Sequence, residues 1–478
     1  MKKFVLVAGA LAFAFANAAS QRLVSLQVAE TGALVAGVSK IGEMTGNPMI
    51  AAMIAPQIAQ NPLAEFFGPA RAGEAIGISV CGNSDTFKSL LENNAFPDGV
   101  YVAYPVKRTK AEFLAAHPGA AETNGVISVE GYAVVFSDDG RWAVATTDAS
   151  RAAAGLSEIA VAKQPLNGDI VRIELSKEVV PQLIEMVGEE QVRALVEGYE
   201  NLKFALAIGE KSLEVKVAAD AKKGSLLDKM GKISLAGDYF AFAMDDALVA
   251  QNEAQGGGTG YNAQVHALID LIRSLGIKTD FIAEDKKQPG VSRYTFDLKK
   301  AYAYFSSEDG KKACEKVDPM AFLEGLSQIN TNIVISAASP AAAASFAIKG
   351  CKPKKSLARL FADMVPEAAS KKPYAVSCGS FYAILRGIAA QLVPQLPADL
   401  RMQIEPVMMT LPAEEDCAIA CYAYRDGSTH RVLARISAGE LKGLSSVINS
   451  VAGFAMSCAM QGVDCDDEIL EVEADDED

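Results

Sequence analysis

Two short acidic-glycine turns constrain this chain more than any other feature. Asp138-Asp139-Gly140 separates the runs 132–136 and 141–147, and Asp426-Gly427 separates 417–424 from 431–436. Each flanking run is rich in β-branched and aromatic residues, the pattern of a hairpin. Strands joined by so tight a turn can only pair antiparallel. A third turn, Asn167-Gly168, precedes a strand-like run at 170–174. Helical periodicity is rarer. In 262–275, Val265, Leu268, Ile272 and Leu275 share one face, with Asn262 as N-cap and Gly276 beyond the end. The runs 181–187 and 190–197, broken at Gly188, and 357–364 are further helical segments. Hairpins with few helices imply an α+β fold: antiparallel sheets with helices packed on one face.

The strand runs recur in order. Residues 171–178 resemble 294–301, each a strand followed by a polar residue at a helix start. Downstream, 201–208 resembles 332–336, 213–219 resembles 345–349, and 238–243 resembles 373–377. The offset grows from 123 at Leu175/Leu298 to 131 at Ser225/Ser356 and 135 at Tyr239/Tyr374. A slowly growing offset fits two related halves from an internal duplication with loop insertions. Arg435 to Leu444 begins as a further copy would. Residues 255–260 and 337–344, the latter holding Pro340, read as irregular.

The ends are distinctive. Lys2 and Lys3, an apolar run at 4–15 and Ala16-Asn17-Ala18 have the form of a secretory leader. The apolar run is too short to span a bilayer, so no integral membrane segment is expected in the mature chain. Loss of 1–18 takes two lysines and no acid from a net charge of −14, which leaves −16. Ten negative charges lie in 464–478, so acidity belongs to the tail. Clustered cations are lacking, which disfavours nucleic acid and anionic lipid. The expected organisation is 1–18 signal peptide, 19–230 first α+β half, 231–455 second half, and 456–478 an acidic, disordered tail. Export places the chain in the periplasm, with an extracellular location as the alternative.

An oxidising compartment favours disulfides among Cys81, Cys314, Cys351, Cys378, Cys417, Cys421, Cys458 and Cys465. Cys417 and Cys421 are four residues apart in a strand-like run. They would stand ~13 Å apart there, beyond the about 7 Å a disulfide allows. Cys458 and Cys465 are better placed for a local clip.

With its leader, Leu-Ser-Lys-Glu at 175–178 and Lys-Lys-Gly-Ser-Leu-Leu at 222–227, the chain resembles uncharacterised exported tandem α+β proteins of Gram-negative bacteria, of the domain-of-unknown-function type. The resemblance spans about residues 75–450. It implies no activity.

Motifs for chemistry are few. Gly258-Thr-Gly260-Tyr-Asn-Ala263, with Asp280 beyond, matches a dinucleotide-binding turn. The preceding strand is expected to end near Met244, too far upstream for a tight strand-to-helix turn, so a flexible loop is the expected reading. The three histidines, His117, His266 and His430, lack metal-ligand spacing, and His266 with Asp270 reads as an i,i+4 surface pair. The lone tryptophan, Trp142, is expected in the core beside Val144. Asp464, Asp466 and Asp467 lack the glycine turn of a calcium loop. No catalytic, cofactor-binding or metal-ligating residue is assigned, and no cofactor is expected.

The expected function is a non-enzymatic exported binding or scaffold protein whose partner is an envelope protein or a small apolar ligand. Alternatives are a periplasmic carrier of an apolar or lipid-like ligand and a hydrolase with a dispersed site. A carrier needs a dry cavity, for example where 239–244 and 374–376 meet. A hydrolase needs converging polar groups with perturbed pKa values. An interaction protein needs an exposed apolar face.

Overall fold

The computed structural model of the chain describes residues 22–82, 99–179, 198–229, 231–243, 245–254, 273, 277–278, 280–288, 291–313, 331–338, 341–348, 351, 354–411 and 417–461. The first strands are β1 (Arg22–Val28), β2 (Ile76–Cys81), β3 (Val100–Pro105), β4 (Ala121–Thr123), β5 (Val126–Val129), β6 (Tyr132–Phe136) and β7 (Trp142–Thr146). There follow β8 (Asp169–Ser176), β9 (Tyr199–Ile208), β10 (Ser212–Ala221), β11 (Ala247–Ala254), β12 (Ile282–Gln288) and β13 (Val291–Asp297). The last are β14 (Thr331–Ala338), β15 (Ala341–Ile348), β16 (Ala375–Gly379), β17 (Ile419–Asp426) and β18 (Thr429–Ser437). They are accompanied by helices α1 (Thr31–Thr45), α2 (Pro48–Ala59), α3 (Pro62–Phe67), α4 (Lys110–Ala116), α5 (Ile159–Ala162), α6 (Leu298–Ser306), α7 (Leu357–Met364), α8 (Phe381–Leu392), α9 (Ala398–Thr410) and α10 (Ala438–Gln461).

All these strands join one sheet, and every pairing is antiparallel. The order is β4-β5-β6-β7-β3-β2-β1-β8-β9-β10-β18-β17-β16-β11-β15-β14-β13-β12. The α+β class with a large antiparallel sheet is therefore as the hairpins imply, and β6–β7 and β17–β18 are the two expected hairpins. The sheet ends are blunted. β4 is three exposed residues long, and β12 carries Glu284, Asp285, Lys286 and Lys287 in a row, both devices that discourage edge pairing.

The chain leaves β1, β13, β16 and β18 straight into a helix, with an oxygen-bearing side chain closing each first turn. Glu30 accepts from the Gly32 and Ala33 N–H groups, and Asp297 from Lys300. Ser380 accepts from Ala383, and Ser437 from Glu440. Such caps satisfy donors that a helix start leaves open and fix where the strand stops.

The segments compared in sequence fall on β8/β13, β9/β14 and β10/β15, each trio a three-strand meander. Their descent from one duplicated unit is a reading of that order, not of the pairing alone. The pair 238–243 and 373–377 departs from it. The latter enters β16, whereas 239–242 is a turn. Residues 337–344, expected to be irregular, belong to β14 and β15 on either side of 339–340. Alanine offers little side chain to bury, so its strand propensity here comes from pairing on both sides. The expected helices at 181–187, 190–197 and 262–275, the loop at 255–260 and the tail from 462 lie outside the described residues, apart from the single helical position Arg273, whereas 456–461, expected in the disordered tail, are the last residues of α10.

Helices flank both faces, where one covered face was expected. α7 packs Leu357 and Phe361 against Cys378 and Ala420. α8 packs Ala383 and Ile384 against Phe346 and Ile348. Cys378 and Ser345 both stand opposite Ala250, and Phe346 follows Ser345, so the two helices sit on opposite sides. Around β2, β3 and β7 the core lies on both faces of the sheet. Phe67, Tyr104, Phe113 and Val134 fill one side, and Tyr101, Trp142, Val144 and Ile159 the other.

Candidate functional site

Three features could carry function: two open clefts and one helical face. The first cleft, about 610 Å³, is bordered by Glu30, Glu74, Asp139, Arg141, Lys163 and Asp169. The second, about 560 Å³, lies on the sheet face over β8, β9, β10 and β18, with Ala205 and Ala218 among its lining and Arg172, Lys203, Lys216 and Arg431 around them. The loop 164–169 contributes to both. Gln27, buried in β1, holds that loop by donating to the carbonyls of Val161 at 2.6 Å and Gln164 at 2.9 Å. Arg172 holds it from the other side through the carbonyls of Pro165 and Leu166.

Most cations of these clefts are paired with carboxylates, among them Arg141 with Glu74, whereas Lys163 lies over the Trp142 ring at 6.0 Å. Asp169, its side chain nearly sealed from solvent, accepts from Arg172 at 2.9 Å and Lys216 at 2.8 Å. Lys203 meets Glu174 at 3.1 Å, and Arg431 meets Asp426 at 3.4 Å. Alongside them Arg435 bridges Glu214 and Glu367 at 2.7 and 3.1 Å. A ligand would have to displace these pairs before using their charge. Among the described residues no three His, Cys, Asp or Glu side chains are grouped to hold a metal ion.

Two buried polar arrangements bind elements together. Glu440 of α10 is fully buried and caps α8, accepting from the Ser380 hydroxyl at 2.7 Å and the Tyr382 N–H at 2.9 Å. Burial pushes its carboxyl above the usual range, and these hydrogen bonds pull it partway back. Gly443 lies one turn on, where an added Cβ would stand 2.4 Å from the Tyr382 ring, so only glycine lets α10 approach α8 this closely. In the second arrangement, the Tyr374 hydroxyl lies 3.1 Å from His430 Nδ1, both residues buried. Burial, reinforced by Glu253, pushes the Tyr374 hydroxyl up to about 12. Both arrangements are enclosed by packed strands or helices and open onto neither cleft.

The third feature is α2. Asn47 caps it by accepting from the Met49 N–H, with Pro48 as its first residue, and Asn61-Pro62 begins α3 the same way. Gly46, at φ +65°, ends α1 and turns the chain so that α2 folds back on it, with Ala51 against Gly42. No residue of α2 is buried, although all but Gln57 are apolar. Met49 and Met53 are 62% and 60% exposed. No charged side chain occurs between Glu43 and Glu65.

The motif residues do not assemble into a site. His117 ends α4, its Nδ1 2.9 Å from the Phe113 carbonyl, and packs on Phe66 and Phe113. His430 is in β18, and His266 with Asp270 lies outside the described residues. So do Gly258, Gly260, Ala263, Asp464, Asp466 and Asp467. β11 runs to Ala254, ten residues beyond the expected strand end near Met244, but its partners β15 and β16 are antiparallel, unlike the parallel unit a dinucleotide turn needs. Trp142 is buried beside Val144, as expected. Cys81, Cys378 and Cys421 are free thiols, so general pairing of the cysteines does not extend to these three. Burial pushes Cys81 and Cys378 up to about 12, which makes them unreactive. Cys465, and with it the proposed clip to Cys458, lies outside the described residues. Where a carrier's cavity was expected, Phe240, Phe361, Val376 and Tyr422 form solid core.

No protein-family model, curated protein or solved structure matches the chain. The resemblance to exported tandem α+β proteins rests on the quoted residues alone. Among the described residues, no helix is long and apolar enough to cross a membrane.

Proposed function

We propose that the chain is a non-enzymatic exported protein, resident in the periplasm, that binds or scaffolds a macromolecular partner through the exposed face of α2. The carrying observation is the solvent-exposed Met49 and Met53 on a helix with no buried residue. Contiguous exposed apolar surface is costly to keep in water and marks contact sites. Methionine is suited to such a surface because its flexible, polarisable side chain adapts to the partner. The leader-like residues 1–18 support export. The ion-paired clefts favour a framework role for the sheet face.

The test is a photo-crosslinking amino acid placed at Met53, or at exposed Lys40 on α1 as control, in cells exporting the full chain. A discrete adduct from position 53 and none from 40 is expected. No adduct from position 53 contradicts the proposal.

A further inference from the structure

We infer that the partner of α2 is a second copy of this chain, docked through the same face in antiparallel orientation. This inference rests on the reading of α2 as a contact surface. Met49, Ala52, Met53 and Pro56 are all exposed and follow the i, i+3, i+4, i+7 spacing of one helix stripe. Large and small residues alternate along it. In an antiparallel pair related by a twofold axis near Ala52 and Met53, each methionine of one copy meets the alanine or proline position of the other. A patch of this kind is self-complementary, which an isologous contact requires.

Charge points the same way. The mature chain carries −16, but ten of its negative charges lie in 464–478, so the folded part of one copy repels another only modestly. The stretch between Glu43 and Glu65 can be buried against itself without desolvating any charge. Lys442 of α10 packs over Gly46 at the N-terminal end of α2, and Glu65 follows its C-terminal end. The antiparallel arrangement brings Lys442 toward Glu65 of the partner subunit. Exposed Glu43 shares the lysine's end, so these end charges set orientation and add little affinity. An anionic membrane is the poorer occupant. No lysine or arginine lies between Lys40 and Arg71, whereas helices that bind such surfaces carry cations on their flanks. One twelve-residue helix per copy, about 18 Å long, buries less than the roughly 1,200 Å² of a stable interface. The dimer is therefore weak and concentration-dependent.

Sedimentation velocity of the mature chain across about three decades of concentration tests this. Wild type should shift from monomer to dimer. Met53→Asp should raise the dissociation constant at least about tenfold while its circular dichroism melt is unchanged. Met402→Asp, on the exposed side of α9, should leave dimerisation as it is. Ala52→Cys, close to the axis, should give an oxidised covalent dimer that wild type does not, a readout independent of how Met53→Asp folds. Wild type that stays monomeric, or dimers indifferent to Met53→Asp with no Ala52→Cys cross-link, would overturn the inference. Monomers that float with vesicles of anionic phospholipid would overturn it in favour of a membrane. A cellular adduct from position 53 to a different protein, with the purified chain monomeric, removes the second copy and keeps the interaction reading. No adduct at all removes both.

Discussion

Strands β3 and β7 differ from β9 and β10 in one respect that organises the molecule. Every residue of β3 and β7 is buried. They lie between α3 and α4 on one side and α5 with its preceding turn on the other. β9 and β10 alternate charged and apolar residues, and most of their side chains are half-exposed. A strand covered on both faces can be apolar throughout, as Val-Tyr-Val-Ala-Tyr-Pro is. A strand with one watered face must alternate, as Glu-Val-Lys-Val does. The same sheet thus anchors its fold at the β2–β3–β7 region and spans its centre with a charged, ion-paired face. Stability should follow this division.

The largest expected effect is in the anchored region. Phe113 is fully buried among Phe66, Phe67 and Phe136. Phe113→Ala should cost about 3–5 kcal/mol, and the half-buried Phe204→Ala in β9 about half of that. Urea denaturation compares them, and equal losses would break the contrast. Next is the centre's one sealed charge. Asp169→Ala leaves Arg172 and Lys216 without their acceptor and should cost about 2 kcal/mol, after allowance for the partial exposure of both cations.

Glu440 gives a pH-dependent effect. Its folded-state pKa is raised above the ordinary 4.5. Its contribution to stability is therefore full below that value and is lost as pH rises through the folded-state pKa. Relative to Glu440→Gln, wild type should lose stability as pH rises above about 4.5, measured by thermal melts at each pH. A gap that is flat, or that moves the other way, would show that the buried carboxylate does not titrate as its burial implies. The smallest effect belongs to the open face: Lys203→Ala, which breaks the exposed pair with Glu174, should change stability by about 0–1 kcal/mol in the same urea assay.

What could be read in the sequence follows the same contrast. The β6–β7 and β17–β18 hairpins were legible because Asp-Gly turns and flanking β-branched runs are local signals. The caps at Asp297 and Ser437 could be sensed as polar residues closing strand runs. The segment 239–243 was misread because Tyr-Phe-Ala-Phe-Ala has strand composition, yet it is needed as a turn that packs Phe240 into the core. Residues 341–344 were missed for the opposite reason: alanines carry no strand signal, and the partners that make them a strand lie far away in sequence. The role of Glu440 is a contact across 60 residues to Ser380, invisible to any local pattern. The α2 face, in contrast, was there to be found. A charge-free run from Glu43 to Glu65 holding Met49 and Met53 is a one-dimensional signal, but without burial it looks like ordinary core.

The most direct measurement is mass spectrometry of the mature chain, residues 19–478, purified from an exporting bacterium, under native and then denaturing conditions. A concentration-dependent dimer that Met53→Asp weakens, with no small molecule released on unfolding, is the predicted result. A monomer carrying a stoichiometric apolar molecule that is released on unfolding would contradict it and assign the chain to ligand transport.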